Sequence, residues 1–176
     1  ITLDDKNSEP FYFRGVANYH LENFYDAISD LDQAITLDDK NSESYFYRGL
    51  VKCELELYRN AISDLDQAIT LDDKNSEPFY FRGLAKFELE LYRNAISDLD
   101  QAITLDDKNS EPFYFRGVAK YHLENFYDAI SDLDQAITLD DKNSKSYFSR
   151  GLAKHELKLY KEAILDFDKT IQIDNN

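Results

Sequence analysis

The sequence contains no tryptophan and no methionine, and it has only one cysteine, three prolines and five glycines. With so little glycine and proline, an all-β fold rich in tight turns is excluded. The single cysteine, Cys53, cannot form an internal disulfide, which predicts a reducing compartment and favours the cytoplasm. A catalytic role for Cys53 would need a base held next to the thiol, and nothing local suggests one. No apolar run is long enough to span a membrane.

Positive charge is also scarce. The chain has 20 lysine and arginine residues against 35 aspartate and glutamate residues, which gives a formal net charge of −15. An acidic surface repels nucleic-acid phosphates and anionic membranes, so we expect neither as a partner. Apolar residues make up 43% of the chain and aromatic residues 14%, which is enough for a packed core. The simplest interpretation of the charge is a well-solvated outer surface.

An Arg-Gly pair recurs every 34 residues, and this internal repeat dominates the sequence. A longer period lies above it, because residues 1–42 match residues 103–144 with one change, Asn18 against Lys120. A unit of three repeats was therefore duplicated. The chain opens on a segment that recurs at the end of each repeat and lacks an initial methionine, so we expect a piece of a longer protein. The pairs are Arg14-Gly15, Arg48-Gly49, Arg82-Gly83, Arg116-Gly117 and Arg150-Gly151.

The residue pattern of each repeat predicts two helices. The first begins near Ser8, a good N-cap that is followed by Glu9 and Pro10 in the first turn, and it runs to about residue 21. The second covers about residues 24–37, where apolar residues fall at helical spacing. A polar link then leads to the next repeat. Equivalent first-helix starts are expected at Ser76 and Ser110.

A single helix pair buries too little surface to fold alone, so we expect the pairs to stack into one continuous solenoid domain in which each contacts only its neighbours. The 34-residue period divides the chain into segments that can be assigned by number. We predict the tail of a preceding repeat at residues 1–7 and five repeats at residues 8–41, 42–75, 76–109, 110–143 and 144–176.

The placement of small and bulky residues resembles the tetratricopeptide repeat family over essentially the whole chain. The family pattern has a bulky apolar residue early in the first helix and a small residue where that helix meets the second; Phe11 and Gly15 match it. Small residues are needed where helix backbones approach closely. The resemblance implies an all-α fold, an α-solenoid of stacked antiparallel helix pairs forming a right-handed superhelix. In the second helix the matching residues are Phe24, Ala27, Leu31 and Ala34.

Two positions depart from the family pattern. The family usually ends its repeat with proline, and it often has glycine in the turn between the two helices. A non-glycine residue in a left-handed turn costs about 1 kcal/mol, so either the turn differs here or stability is given up. The proline place is taken by Asp39, Asp73, Asp107 and Asp141, and the glycine place by Glu22, Glu56, Glu90, Glu124 and Lys158.

By the same resemblance, the first helices line a concave groove that binds a protein or a peptide. Aromatic side chains give a large contact area at low entropic cost, and the carboxylates predict a ligand with basic and apolar residues. The alternative is that many of these aromatic residues pack between neighbouring repeats. The predicted groove residues are Glu9, Tyr12, Tyr19, His20, Glu43, Phe46, Leu50, Glu54, Glu77, Tyr80, Leu84, Phe87, Glu88, Glu111, Tyr114, Tyr121, His122, Phe148, His155 and Glu156, with Val16, Cys53, Val118, Lys145 and Leu152 on the same face.

Some family members grip the acidic C-terminus of chaperones with a clamp of lysine, asparagine and arginine side chains in this groove. The matching positions of this chain carry aromatic and aliphatic side chains instead. We therefore predict no binding of that kind. The positions are Tyr12, Val16, Phe46, Tyr80 and Leu84.

Other candidate sites are weaker. The five arginines could form an anion-binding ladder, but we predict a structural role in which each lies near an aspartate of the second helix in its own repeat, such as Asp30 for Arg14. His20, His122 and His155 are too few and too far apart for a metal site. No phosphate loop and no catalytic constellation is visible, so we predict no cofactor and no enzymatic activity.

Two functions remain in competition. The leading hypothesis is a scaffold that binds another protein or a peptide. The alternative is self-association, in which terminal repeats stack head to tail into a weak homo-oligomer, because nothing after the fifth repeat covers Phe167, Ile171 and Ile173. The molecular mass measured against protein concentration separates the two.

Overall fold

The computed structural model describes residues 7–175, which form ten α-helices and no strand. The chain divides into two compact units, of which the first extends to Leu89 and the second begins at Glu90. The all-α fold of tandem helix pairs predicted from the sequence is confirmed. The helices of the first unit are α1 (Glu9–His20), α2 (Phe24–Leu37), α3 (Ser42–Glu54), α4 (Tyr58–Leu71) and α5 (Ser76–Glu88); those of the second are α6 (Tyr92–Leu105), α7 (Ser110–His122), α8 (Phe126–Leu139), α9 (Ser144–Glu156) and α10 (Tyr160–Asp174).

Consecutive helices pack against each other within each unit. In the first unit α1 packs on α2, α2 on α3, α3 on α4 and α4 on α5, and the first helices also touch along the row α1, α3 and α5. In the second unit the same order holds from α6 to α10, and α7 touches α9. The predicted tail at residues 1–7 lies outside the described residues, apart from Asn7. No helix within residues 7–175 has the length and apolar character needed to cross a membrane.

Close approach of the two helices in a pair depends on glycine in the first helix. A Cβ atom added to Gly49 would lie 2.9 Å from Cγ of Leu65 on α4, closer than such atoms normally approach. Leu65 and the neighbouring Ala61 are fully buried. The small residue that the sequence pattern places here therefore lets the leucine of the second helix lie directly against the backbone of the first.

The helix caps differ from the sequence-based prediction by one residue. Ser76 and Ser110 are the first residues of their helices, and the N-caps are Asn75 and Asn109. The Asn75 side chain accepts a hydrogen bond from the backbone N–H of Glu77 at 3.0 Å. Ser8 does occupy the N-cap position of α1, but its side chain makes no capping hydrogen bond. Asparagine and serine cap helices about equally well, so adjacent Asn-Ser residues left the choice open.

The turn between the two helices of a pair is left-handed, as the family pattern implies. Glu56 has φ of 58°, and its N–H donates to the carbonyl of Cys53 at 2.9 Å while Leu57 N–H donates to the carbonyl of Lys52 at 2.8 Å. This is the hydrogen-bond pattern of a helix C-terminus closed by a left-handed residue, usually glycine. The chain therefore keeps the family turn and gives up stability for it. The equivalent residues are Glu22, Glu90, Glu124 and Lys158, with φ between 59° and 62°.

Candidate protein-binding surface

The arginines of the first helices are bound to aspartates of the second helices. Arg48 donates from Nε at 2.9 Å and from Nη2 at 2.6 Å to Asp64, which lies on α4 of its own repeat. Arg14 and Asp30 form the equivalent pair. The predicted pairing within the repeat is therefore confirmed for four of the five arginines, which are Arg14, Arg48, Arg116 and Arg150.

The arginine of a repeat also donates a hydrogen bond to an aspartate of the preceding repeat, and the sequence analysis did not predict this bond. Arg48 donates from Nη1 to Asp32 on α2 at 2.6 Å. Burial lowers the pKa of Arg48, but the hydrogen bonds and charges of Asp64 and Asp32 outweigh burial and raise it. Lys52 adds a further ion pair to Asp64 at 2.6 Å. The same arrangement recurs in the second unit, where Arg116 binds Asp132 and Asp100 and Arg150 binds Asp166 and Asp134.

Several glutamates of the first helices, in contrast to the arginines, have no ion-pair partner among the described residues. In the first unit, five of these glutamates make no ion pair and no side-chain hydrogen bond with any residue that the structure describes. Burial, followed by the charges of Glu77 and Asp72, raises the pKa of Glu43. The surface formed by the first helices therefore holds negative charge that the protein itself does not neutralise. The five residues are Glu9, Glu43, Glu54, Glu77 and Glu88.

Aromatic side chains lie next to these glutamates. In the first unit the rings of Tyr12 and Tyr19 pack edge-on against Tyr47, with centroids 5.9 and 6.1 Å apart. Burial, followed by the charge of Glu43, raises the pKa of Tyr12 to about 12, so its hydroxyl stays neutral at physiological pH. These tyrosines are half-buried, which leaves part of each ring accessible.

Two predicted groove residues are almost fully buried. Phe46 is 4% exposed and Leu50 is 7% exposed, and both belong to the buried cluster that includes Ala61, Leu65 and Ala68. The Phe46 ring lies 5.8 Å from the ring of Phe81 on the next first helix. The Phe46 ring therefore packs between neighbouring repeats, and Leu50 keeps only a small exposed surface.

The other predicted groove residues keep accessible surface. Half-buried positions carry mainly aromatic residues, whereas exposed positions carry mainly charged or titratable ones. The half-buried set is Tyr12, Tyr19, Glu43, Tyr80, Leu84, Phe87, Glu111, Tyr114 and Tyr121. The exposed set is Glu9, His20, Glu54, Glu77, Glu88, His122, Phe148, His155 and Glu156.

In the second unit the predicted groove face carries His122, Lys145 and His155 as well as glutamates. His122 stacks face to face on Tyr92 with centroids 4.6 Å apart, and the Tyr121 ring lies 5.5 Å from Phe126. A shallow depression of about 360 Å³ is lined by residues of α7, α9 and α10, among them Lys145. Its other lining residues are Tyr114, Ser144, Phe148, Ser149, Thr170 and Asp174.

A smaller cavity of about 130 Å³ lies between α3, α4 and α5 of the first unit. Three of its residues, Tyr58, Phe81 and Ala85, were not among the predicted groove residues, because the family pattern assigns the groove to other positions. The cavity adjoins Cys53, which was assigned to this face. The remaining lining residues are Leu50, Glu54, Leu84 and Glu88. Within residues 7–175 no cluster of histidine, cysteine and acidic side chains has the geometry to hold a metal ion.

Comparisons with solved structures find the same fold in proteins of low sequence identity. A crystal structure of MamA is 25% identical, with a TM-score of 0.87 over 92% of this chain and 94% of that one. MamA from Desulfovibrio magneticus RS-1 is 16% identical, with a TM-score of 0.91 over 99% of this chain and 98% of that one. YrrB, described as a tetratricopeptide repeat protein with an unusual peptide-binding site, is 20% identical, with a TM-score of 0.86 over 98% and 89%.

Comparison with curated protein sequences gives no significant match. Family models give two, both for the tetratricopeptide repeat: one covers residues 76–109 and the other residues 114–176. These matches agree with the 34-residue period, with the ten helices of residues 7–175 and with the similar solved structures. The chain belongs to the tetratricopeptide repeat family.

Proposed function

We propose that this chain is a protein-interaction scaffold that binds a peptide segment of its partner along the groove formed by its first helices. The observation that carries the proposal is the division of charge on those helices. Their arginines are bound to aspartates of the second helices, whereas five glutamates of the first unit have no partner within residues 7–175. Accessible tyrosines lie beside these glutamates.

The charge indicates the class of ligand. A segment with lysine or arginine would neutralise the free glutamates, and its apolar residues would pack on the tyrosine rings. Nucleic acids and anionic membranes are disfavoured by the same negative charge. The peptide-binding site stated for YrrB, a protein of the same fold, supports a peptide as the ligand class.

Selection from a library of randomised peptides tests the proposal, because it presents many candidate ligands at once. The 176-residue chain would be immobilised, enriched peptides would be synthesised, and their Kd values would be measured by fluorescence anisotropy. Glu43→Lys combined with Glu77→Lys should weaken binding of enriched peptides at least tenfold, because two free carboxylates become repulsive cations. The control, Asp39→Lys with Asp73→Lys, makes the same change of charge in the loops between repeats.

The control variant should change Kd by less than twofold. Binding should also weaken as salt concentration rises, because exposed charges are screened. If both double variants weaken binding equally, the effect is one of total charge and the assignment to the groove is incorrect. If the library yields no enriched sequence, the peptide-binding proposal itself fails.

Self-association is a second candidate, and one observation favours it. Ile164 and Ile171 on α10 are 57% and 59% exposed, whereas the equivalent Ile130 and Ile137 on α8 are half-buried. A second copy of the chain could cover these side chains with the exposed Phe13 of its α1. Sedimentation over a hundredfold range of concentration distinguishes the candidates, because a monomer that still binds enriched peptides leaves self-association without support.

A further inference from the structure

One position on the groove face of the first helices differs in size between repeats. Four of the five repeats have a ring there, and the second repeat has the small side chain of Cys53. Core positions of the repeats are by contrast occupied by the same or similar residues, such as the fully buried Leu31, Leu65, Leu99 and Leu133. The ring-bearing equivalents of Cys53 are Tyr19, Phe87, Tyr121 and His155.

The first repeat shows what a ring does at this position. Tyr19 lies between Phe24 at the start of α2 and Tyr47 on the next first helix, with ring centroids 6.4 and 6.1 Å away. Tyr58 and Phe81 are the residues that flank Cys53 in the same way, one on α4 and one on α5. Because cysteine is much smaller than tyrosine, it fills less of the space beside Tyr58 and Phe81. A cavity of about 130 Å³ lies there.

The cavity combines an apolar interior with two carboxylates. Leu50 and Ala85 are buried, and Leu84 is half-buried. Glu54 from α3 and Glu88 from α5 are exposed, and neither forms an ion pair or a hydrogen bond within residues 7–175. No lining residue carries a positive charge.

Cys53 itself behaves as an apolar wall of the cavity. Burial, followed by the charge of Glu54, raises the pKa of its thiol to about 12. The thiol is therefore neutral at physiological pH, which disfavours the thiolate that acts as a nucleophile. A buried neutral cysteine packs like a small hydrophobic residue.

We propose that this cavity receives a lysine side chain of the bound peptide, whose aliphatic stem contacts Leu50, Cys53 and Leu84 and whose ammonium group lies between Glu54 and Glu88. The inference rests on the proposed peptide-binding function and names one residue type that the ligand must present. The cavity of the second repeat would then determine specificity for lysine, because the other four first helices have a ring at the position of Cys53.

The size and the charge of the cavity agree with lysine. The volume of about 130 Å³ exceeds the roughly 30 Å³ that one water molecule takes up in the liquid, so the cavity has room for part of a side chain. Lysine and arginine bury their aliphatic stems while the charged end stays near water. The two carboxylates come from different helices, which suits a compact ammonium group better than a guanidinium that pairs with one carboxylate in a bidentate manner.

The test compares peptide selections by the original chain and by two variants. Cys53→Phe fills the cavity with a ring like that of Phe87. Glu54→Gln combined with Glu88→Gln keeps the shape and removes both charges. A third chain, Asp39→Asn with Asp73→Asn, removes two charges far from the cavity and serves as the matched control. Circular dichroism and thermal melting check that each variant folds.

We expect the original chain and the control to enrich peptides with lysine at one fixed position. Replacement of that lysine by norleucine should raise Kd at least tenfold for these two chains and less than twofold for Cys53→Phe and for the double glutamine variant. If lysine is enriched but its effect on Kd is the same in all chains, it binds elsewhere and the inference is wrong. Enrichment of peptides without a fixed lysine, or with arginine preferred, also overturns it while leaving the proposed function intact. No enrichment at all removes the proposed function, and the inference with it.

Discussion

Asp132 should stabilise the second unit more than the exposed acidic residues of the same helix do, so its replacement should lower the free energy of unfolding. It is 4% exposed and accepts hydrogen bonds from Arg116 Nε at 2.9 Å and Nη2 at 2.6 Å, and it pairs with Lys120 at 2.7 Å. Asp132→Ala leaves both cations with most of their surface covered and without their main partner. Breaking such a buried pair costs about 3–5 kcal/mol. The cations keep some contact with water, so we expect a loss of about 3 kcal/mol.

The matched control lies two residues further along α8. The side chain of Asp134 is 50% exposed and accepts one bond, from Arg150 at 2.6 Å. Exposed pairs of this kind contribute about 0–1 kcal/mol, so Asp134→Ala should cost less than about 1 kcal/mol although the charge change is identical.

Equilibrium unfolding in urea, followed by far-ultraviolet circular dichroism, measures both variants. Because each repeat is stabilised by its neighbours, the loss at Asp132 should lower the midpoint of the main transition or separate the second unit from it as an earlier transition. Equal free energies of unfolding for the Asp132 and Asp134 variants would refute the reasoning. So would a loss below about 1 kcal/mol for Asp132→Ala, which would mean that water replaces the aspartate without penalty.

Three smaller perturbations test local features by thermal or urea unfolding. Asn109→Ala should cost about 1 kcal/mol because the side chain caps α7, whereas Ser110→Ala should change stability by less than about 0.5 kcal/mol; equal losses would contradict the cap assignment. Glu124→Gly should stabilise by about 0.5–1 kcal/mol because it relieves a left-handed residue, whereas Gln135→Gly inside α8 should cost about 1 kcal/mol. Because the folded pKa of Glu43 is raised above its ordinary value of 4.5, ionisation of Glu43 destabilises the fold; Glu43→Gln should therefore raise the melting temperature at neutral pH, and the difference should shrink as pH falls through the raised pKa and vanish below 4.5.

The helices could be predicted from the sequence because the period and the position of the apolar residues leave few alternatives. The expected second helix at residues 24–37 is α2, with the same bounds. For the turn between the helices the family pattern left two outcomes open, a different turn or a left-handed one at a cost in stability, and the structure shows the left-handed turn. The caps could not be assigned to one residue, because Asn75 and Ser76 are adjacent and have nearly equal capping preference. The bond from Arg48 to Asp32 needs the distance between repeats, which no local pattern contains.

The candidate site was predictable as a face of the first helices but not as a set of accessible residues. Phe46 and Leu50 lie at groove positions of the family pattern and yet are buried, because the neighbouring Phe81 covers them in this stack. The cavity beside Cys53 had a signal in the sequence, since aligning the repeats shows a small side chain where the other four repeats have a ring. That Tyr58 and Phe81 line the cavity required the structure.

The charge of the groove is a consequence of how the helix pairs are stabilised. A buried aspartate such as Asp64 must be paired, and Arg48 and Lys52 on the facing first helix supply the positive charges. Basic side chains that pair with aspartates of the second helices do not neutralise glutamates on the other face of the first helices. With 20 basic residues against 35 acidic ones, the chain has few left to neutralise glutamates such as Glu54. Under the proposed function a cationic ligand would be attracted to these glutamates, and substitutions that release Arg48 from Asp64 should weaken both the fold and the binding of such a ligand.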